Sequence, residues 1–154
     1  MDEAKITEEE IDVSSIIEEV KDYSSGGIVI FLGTVRNFSE AGKVREIEYE
    51  AYDEMALKKM KEIIAYSKEK WPLRKVRVVH RKGKLSLGEV SVAIAVSAPH
   101  RKEAFEACRY IIDSVKGEVA IWKKERLDDG KERWVESHNE DKMFKRETKQ
   151  RHAR

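Results

Sequence analysis

The sequence predicts an α+β fold, a mixed and largely antiparallel sheet flanked by helices, and three observations carry that expectation. Apolar residues alternate between a period of two and a helical period, giving the order β, α, β, β, α, β, β, α, β, β. Two turn regions, Gly83 to Gly88 and Asp128-Asp129-Gly130-Lys131, separate strand-like runs that are expected to pair with each other. The 154 residues contain no internal repeat, low-complexity segment or linker, which fits a single domain over 1–154 with a charged C-terminal tail from about 140.

After a short opening segment around Ile6, Asp12 or Ser14 is placed to cap a helix with Val13, Ile16, Ile17 and Val20 at helical spacing. Ser24-Ser25-Gly26-Gly27 breaks it. The run from Gly27 to Gly33, GIVIFLG, is apolar almost throughout and predicts a strand buried on both faces. Thr34-Val35-Arg36-Asn37 then leaves the strand into a polar loop over Phe38 to Lys43. Strand alternation resumes with Ile47, Tyr49 and Ala51 opposite Glu48 and Glu50.

Asp53 is the expected cap of a second helix, with Leu57, Met60, Ile63, Ile64 and Ser67 as its apolar stripe and Trp71-Pro72 as its end. Val76, Val78 and Val79 mark one strand, and Val90, Val92, Ile94 and Val96 the next. Ala98-Pro99-His100-Arg101 opens a third helix, buried through Ala104, Ala107, Cys108, Ile111 and Val115, and expected to stop at Lys116-Gly117. From Val119 to Arg126 alternation places Val119, Ile121, Lys123 and Glu125 on one face, and Ala120, Trp122, Lys124 and Arg126 on the other. Arg133-Trp134-Val135 returns antiparallel to it.

Hydrophobic residues make up 40% of the chain and charged residues 40%, with a net charge of +1, which argues against bulk electrostatic binding to nucleic acid or membrane. The charge is unevenly spread: residues 1–26 hold nine acids against two bases, and residues 142–154 six bases against one acid. That basic tail reads as a solvated or partner-docked helix or as a nucleic-acid arm. One cysteine, Cys108, excludes an internal disulfide and a cysteine-rich metal site. The N-terminus has no basic start followed by an apolar stretch, and no apolar run approaches the roughly 20 residues of a membrane span, so a cytoplasmic location is expected.

Three polar clusters stand at the ends of apolar elements: Thr34 to Asn37, His100-Arg101, and Lys116 with Lys123. Each alone reads as ordinary loop or cap polarity, and Lys116 to Glu125 alone as a solvated edge strand with snorkelling lysines. Together they suggest an anion site. A helix start already favours anions, so two cations there are poor helix design unless something anionic docks. Arginine and histidine would suit a phosphate. The four histidines, His80, His100, His138 and His152, share no ligand spacing, so no metal is expected. Cys108 lies on an apolar helix stripe and reads as structural. A phosphoesterase using His100, or a non-catalytic module that binds an anion or nucleic acid, is also compatible with these clusters.

The segments GGIVIFLGTVRN, EYEAYDEMA, KWPLRKVRVVHRKGKLSLGE, VSAPHRKEAFEACRYIIDSVK, IWKKE and GKERWVE, in that order, resemble the large, catalytic subunit of molybdopterin synthase over about residues 26–138. The resemblance implies an α/β hammerhead fold and a homodimer with a small ubiquitin-like partner at each end. It implies sulfurtransferase activity: sulfur from the partner's C-terminal Gly-Gly thiocarboxylate is installed on cyclic pyranopterin monophosphate (precursor Z) as the dithiolene of molybdopterin, with no cofactor of the chain's own. Carried over residue by residue, it makes Lys116 and Lys123 the catalytic lysines. Thr34, Val35 and Arg36 become the substrate loop, His100 and Arg101 the phosphate site, and Lys124 and Glu125 further substrate-binding residues, Glu125 completing the lysine cluster. Where bacterial relatives place an arginine after the RWVE segment, this chain has His138. The residue types fit the chemistry, because the nucleophile arrives on the partner and the site needs lysines rather than a thiol.

Overall fold

The computed structural model describes residues 3–136, so His138 and the tail from about 140 lie outside the described residues. The elements run β1 (Ala4–Thr7), α1 (Val13–Val20), β2 (Gly27–Thr34), β3 (Phe38–Ser39), β4 (Gly42–Ala51), α2 (Asp53–Lys70), β5 (Lys75–Arg81), β6 (Gly83–Ser86), β7 (Val90–Ala98), α3 (Arg101–Glu118), β8 (Ile121–Leu127) and β9 (Glu132–Glu136). The α+β expectation holds, with one parallel strand pair, β1 with β5, among otherwise antiparallel neighbours.

The strands form two sheets rather than one. The first has the order β1-β5-β7-β2, and the second runs β3-β4-β8-β9 with β6 also paired to β4. Two short strands were not expected from the sequence. The Phe38 to Lys43 loop contains β3, which folds back on β4, and the Gly83 to Gly88 turn contains β6, which carries the chain from the first sheet to the second. Both are too short for alternation to register.

In β7 alternate side chains serve two cores. Val92, Ile94 and Val96 join the large cluster with Ala107, Cys108, Ile111 and Val115 of α3, while Ala93 and Ala95 pack with Ile16 and Val20 of α1. Burial on both faces therefore belongs to β7, not to β2 as its apolar run suggested. β2 pairs only with β7 at the end of the sheet, and its Ile28, Phe31 and Leu32 are more than a third exposed. The same large cluster continues into the second sheet through Val44, Ile47, Tyr49, Leu85 and Ile121.

The helix ends differ from expectation in two places. Asp12 caps α1, accepting the Ser15 N–H at 3.1 Å, but the residue before α2 is Tyr52, without a side-chain cap. Asp53 instead accepts from Lys82 Nζ at 2.6 Å. α3 continues through Gly117 to Glu118, because the chain needs no left-handed residue there and Val119 leaves the helix extended. β8 is not a solvated edge: β4 and β9 flank it on both sides. Among the described residues, no helix is long and apolar enough to cross a membrane.

Candidate active site

A cleft of about 340 Å³ opens where the two sheets meet, lined by Thr34 at the end of β2, Arg36 just beyond it, Lys116 of α3, Lys123 and Glu125 of β8, and Ile47 and Tyr49 of β4. Phe31, Leu32, Gly33, Phe38 and Ser91 complete it. Two stretches far apart in sequence, the loop after β2 and the α3–β8 segment, thus deliver their charged residues to one place.

At the end of β2 the pairing with β7 slips between Gly33 and Thr34, a bulge that turns the chain out of the sheet. Only glycine fits at 33, since a Cβ there would lie 2.6 Å from Val92 Cγ1. Val35 is then pinned inward: its N–H donates to Glu89 O at 3.0 Å and its carbonyl accepts from Gly88 N–H at 2.8 Å. The exposed side chains on either side of it, Thr34 and Arg36, are left at the cleft. The Arg36 guanidinium sits 5.0 Å from the Phe38 ring centroid.

Lys116 projects from the last turn of α3, where the helix dipole favours a cation. On β8, Lys123 and Glu125 share the face that meets the cleft, Lys123 opposite Tyr49 and Glu125 opposite Ile47 of β4. Glu125 is 2% exposed. Its Oε1 accepts from Ser39 Oγ at 3.0 Å and pairs with Arg133 Nε at 3.4 Å.

Behind Tyr49 lies His80, edge-on to its ring with centroids 5.1 Å apart. His80 Nδ1 is 2.7 Å from the Arg81 carbonyl, which can only accept, so Nδ1 carries the proton. Burial pushes the imidazole down to about 4, and the nearby Lys116 charge acts in the same direction, against that hydrogen bond. The residue is therefore a neutral wall beside the lysine.

The other expected residues lie elsewhere. Lys124 faces the opposite side of the sheet, 3.4 Å from Glu48 and 3.5 Å from Glu132, with the Trp134 ring centroid 5.4 Å away. Desolvation opposes its charge, but Glu48 and Glu132 together outweigh that and raise its pKa. His100 and Arg101 are exposed at the start of α3. With 18 residues in that helix, Arg101 stands roughly 22 Å along the axis from Lys116. Gly26 and Gly27 let this helix start lie on β2, because a Cβ at Gly27 would come 3.2 Å from Arg101 Cα. Cys108 is buried against the first sheet, its thiol pushed up to about 11 by desolvation, which keeps it from being a nucleophile.

Sequence reasoning missed Ser39, Tyr49 and Arg133 as site residues. Tyr49 falls on an alternating strand, and its pairing with Lys123 is a register that one sequence does not reveal. Ser39 sits in a stretch read as polar loop. Among the described residues, no group of three or more His, Cys, Asp and Glu could hold a metal ion.

The model of the family described as "MoaE protein" matches residues 6–118. The molybdopterin synthase catalytic subunit of Pyrococcus abyssi is 45% identical over 128 residues, covering 83% of this chain and 86% of that protein. The crystal structure of molybdopterin synthase from Staphylococcus aureus superposes with a TM-score of 0.82 at 40% identity, over 88% of this chain and 98% of that one. A complex of subunits 1 and 2 of molybdopterin-converting factor from Helicobacter pylori contains a chain with the same fold, at a TM-score of 0.71 and 19% identity over 86% of this chain and 89% of that one.

Proposed function

The chain belongs to the MoaE family of molybdopterin synthase catalytic subunits, and from that premise we propose how its cleft carries out sulfur transfer in molybdenum cofactor biosynthesis. The substrate is precursor Z, and the sulfur donor is the C-terminal thiocarboxylate of a small ubiquitin-like partner ending in Gly-Gly. The observation that carries this reading is the meeting of Arg36, Lys116, Lys123 and Glu125 in one cleft, with no accessible thiol beside them. The described chain's one cysteine is buried.

Arg36 holds an anionic group of the substrate at the cleft rim. Lys123 moves a proton as the partner's sulfur bonds to a pterin carbon, and Lys116, aided by the dipole at its helix end, holds the thiocarboxylate. The oxygen that sulfur displaces from the pterin carbon leaves with the proton from Lys123, and water then adds to the partner's acyl carbon as the acyl carbon–sulfur bond breaks, which leaves a thiol on the pterin and a carboxylate on the partner and returns the proton. Glu125 orders the cluster from beneath.

The roughly 22 Å between Arg101 and Lys116 along α3 means that one protomer does not bring its own His100-Arg101 pair to its own lysines. In a homodimer, at the core of a heterotetramer with two small subunits, the pair from the second copy would supply the phosphate contact. The lone buried cysteine supports a reducing compartment, the cytoplasm. Mass spectrometry of the pterin after mixing the chain with thiocarboxylated partner and precursor Z tests the reading. Two sulfurs per product are expected, and a folded chain that transfers none would overturn it.

A further inference from the structure

Glu125 places a carboxylate at 2% exposure on the cleft floor, which a folded chain tolerates only where donors answer its oxygens. Two donors meet on Oε1, and they come from opposite directions. Arg133 is the cross-strand neighbour of Glu125 on β9. Ser39 lies 86 residues away in sequence, beside the tip of the β3–β4 hairpin, and donates at 3.0 Å. The Ser39 hydroxyl also accepts the Ala41 N–H at 3.2 Å, so its lone pair serves the turn while its single proton is directed at the carboxylate. Gly42, at φ +121°, allows this turn to close.

The two arms of this hairpin are anchored differently: β4 is paired along β8 from Val44 to Ala51, and Lys43 O accepts from Asp128 N–H at 3.0 Å, whereas the backbone of the β3 arm bonds to β4 and not to β8, as in Val44 N–H to Asn37 O at 2.9 Å. Phe38, over which Arg36 stacks, is 57% exposed and adds little anchoring by burial. We propose that Ser39 is a positioning residue: its hydroxyl latches the β3 arm, which directly follows Arg36, to the cleft floor through Glu125, and so sets where the substrate's anionic group is held. Arg133 holds the same carboxylate from the other side and keeps the latch in register.

This inference rests on the sulfur-transfer reading, and parent-chain turnover of precursor Z with thiocarboxylated partner checks that reading separately. In the same assay Ser39→Ala is expected to raise KM for precursor Z about tenfold while kcat stays within about twofold, and Ser39→Thr, which keeps the hydroxyl, to restore the parent KM. Amide hydrogen exchange should quicken over residues 37–43 in Ser39→Ala and stay unchanged over β8. An active parent combined with an unchanged KM in Ser39→Ala would overturn the latch. So would a fall in kcat at constant KM, which would place the hydroxyl in the chemical step.

Discussion

The two ends of α3 carry the same kind of sequence signal and stand in opposite physical settings. At its start, His100 and the Arg101 cation are exposed at the positive end of the helix dipole, with no side-chain cap to explain them. At its end, Lys116 sits where the dipole favours it and shares a cleft with Lys123, Glu125 and Arg36. Clustered charge therefore marks a helix end without saying whether that end is a finished site. The lysine end is assembled within one chain, whereas at the arginine end no acidic side chain among the described residues pairs with His100 or Arg101.

The largest effect expected is at the assembled end. Lys123→Ala should lower single-turnover sulfur transfer about 10²- to 10⁴-fold, as for loss of a proton-transfer group, with affinity for the small partner little changed. Simultaneous loss of partner binding would recast Lys123 as structural. At the other end, Arg101→Ala should weaken precursor Z binding about tenfold or more. Mixing Arg101→Ala chains with Lys116→Ala chains sharpens the contrast: if the pair acts across a dimer, mixed dimers regain one intact site, and activity rises well above that of either variant alone. Mixtures no better than their components would place both ends in the same protomer's site.

His80 makes the lysine end sensitive to acid. Because burial holds its folded pKa near 4, below the 6.5 of an ordinary histidine, protonation favours the unfolded chain. Stability is full above pH 6.5, declines as pH falls from there towards 4, and is lower by ~3 kcal/mol below that window. Denaturant melts at pH 7, 5.5 and 4 should show this slope in the parent and a flatter one in His80→Phe. The smallest effect belongs to Lys124, which adjoins Lys123 in sequence but is engaged by Glu48 and Glu132 on the far face. Lys124→Ala should change kcat/KM less than about threefold. A loss comparable to that of Lys123→Ala would show that the far face also touches substrate or partner.

Much of the fold was legible because burial has a period. The stripes of α2 and α3, the alternation of β4 and β8 and the Asp129-Gly130 turn all follow from apolar spacing and turn chemistry, and each appears where expected. The errors share a cause: local pattern does not report what lies beyond the local chain. The GIVIFLG run has the pattern of a doubly buried strand, yet its position at the sheet end leaves Ile28, Phe31 and Leu32 partly open. β3 and β6 are too short to show a period and exist because β4 has a free edge to pair with. Asp53 had a cap's composition, but Lys82 lay within reach of its carboxylate.

By itself the sequence determined the longer elements, the family, and the residue types that sulfur transfer from a partner requires, because these are carried by spacing and by motif order. Only the tertiary structure decided which charges meet. It turned Lys123 into the cleft and Lys124 away, set Glu125 beneath Ser39 and Arg133, and kept His100-Arg101 a helix length from Lys116. The physical reason is that charge interactions depend on distance and burial, and both are fixed by strand register and helix length across segments that one sequence does not connect.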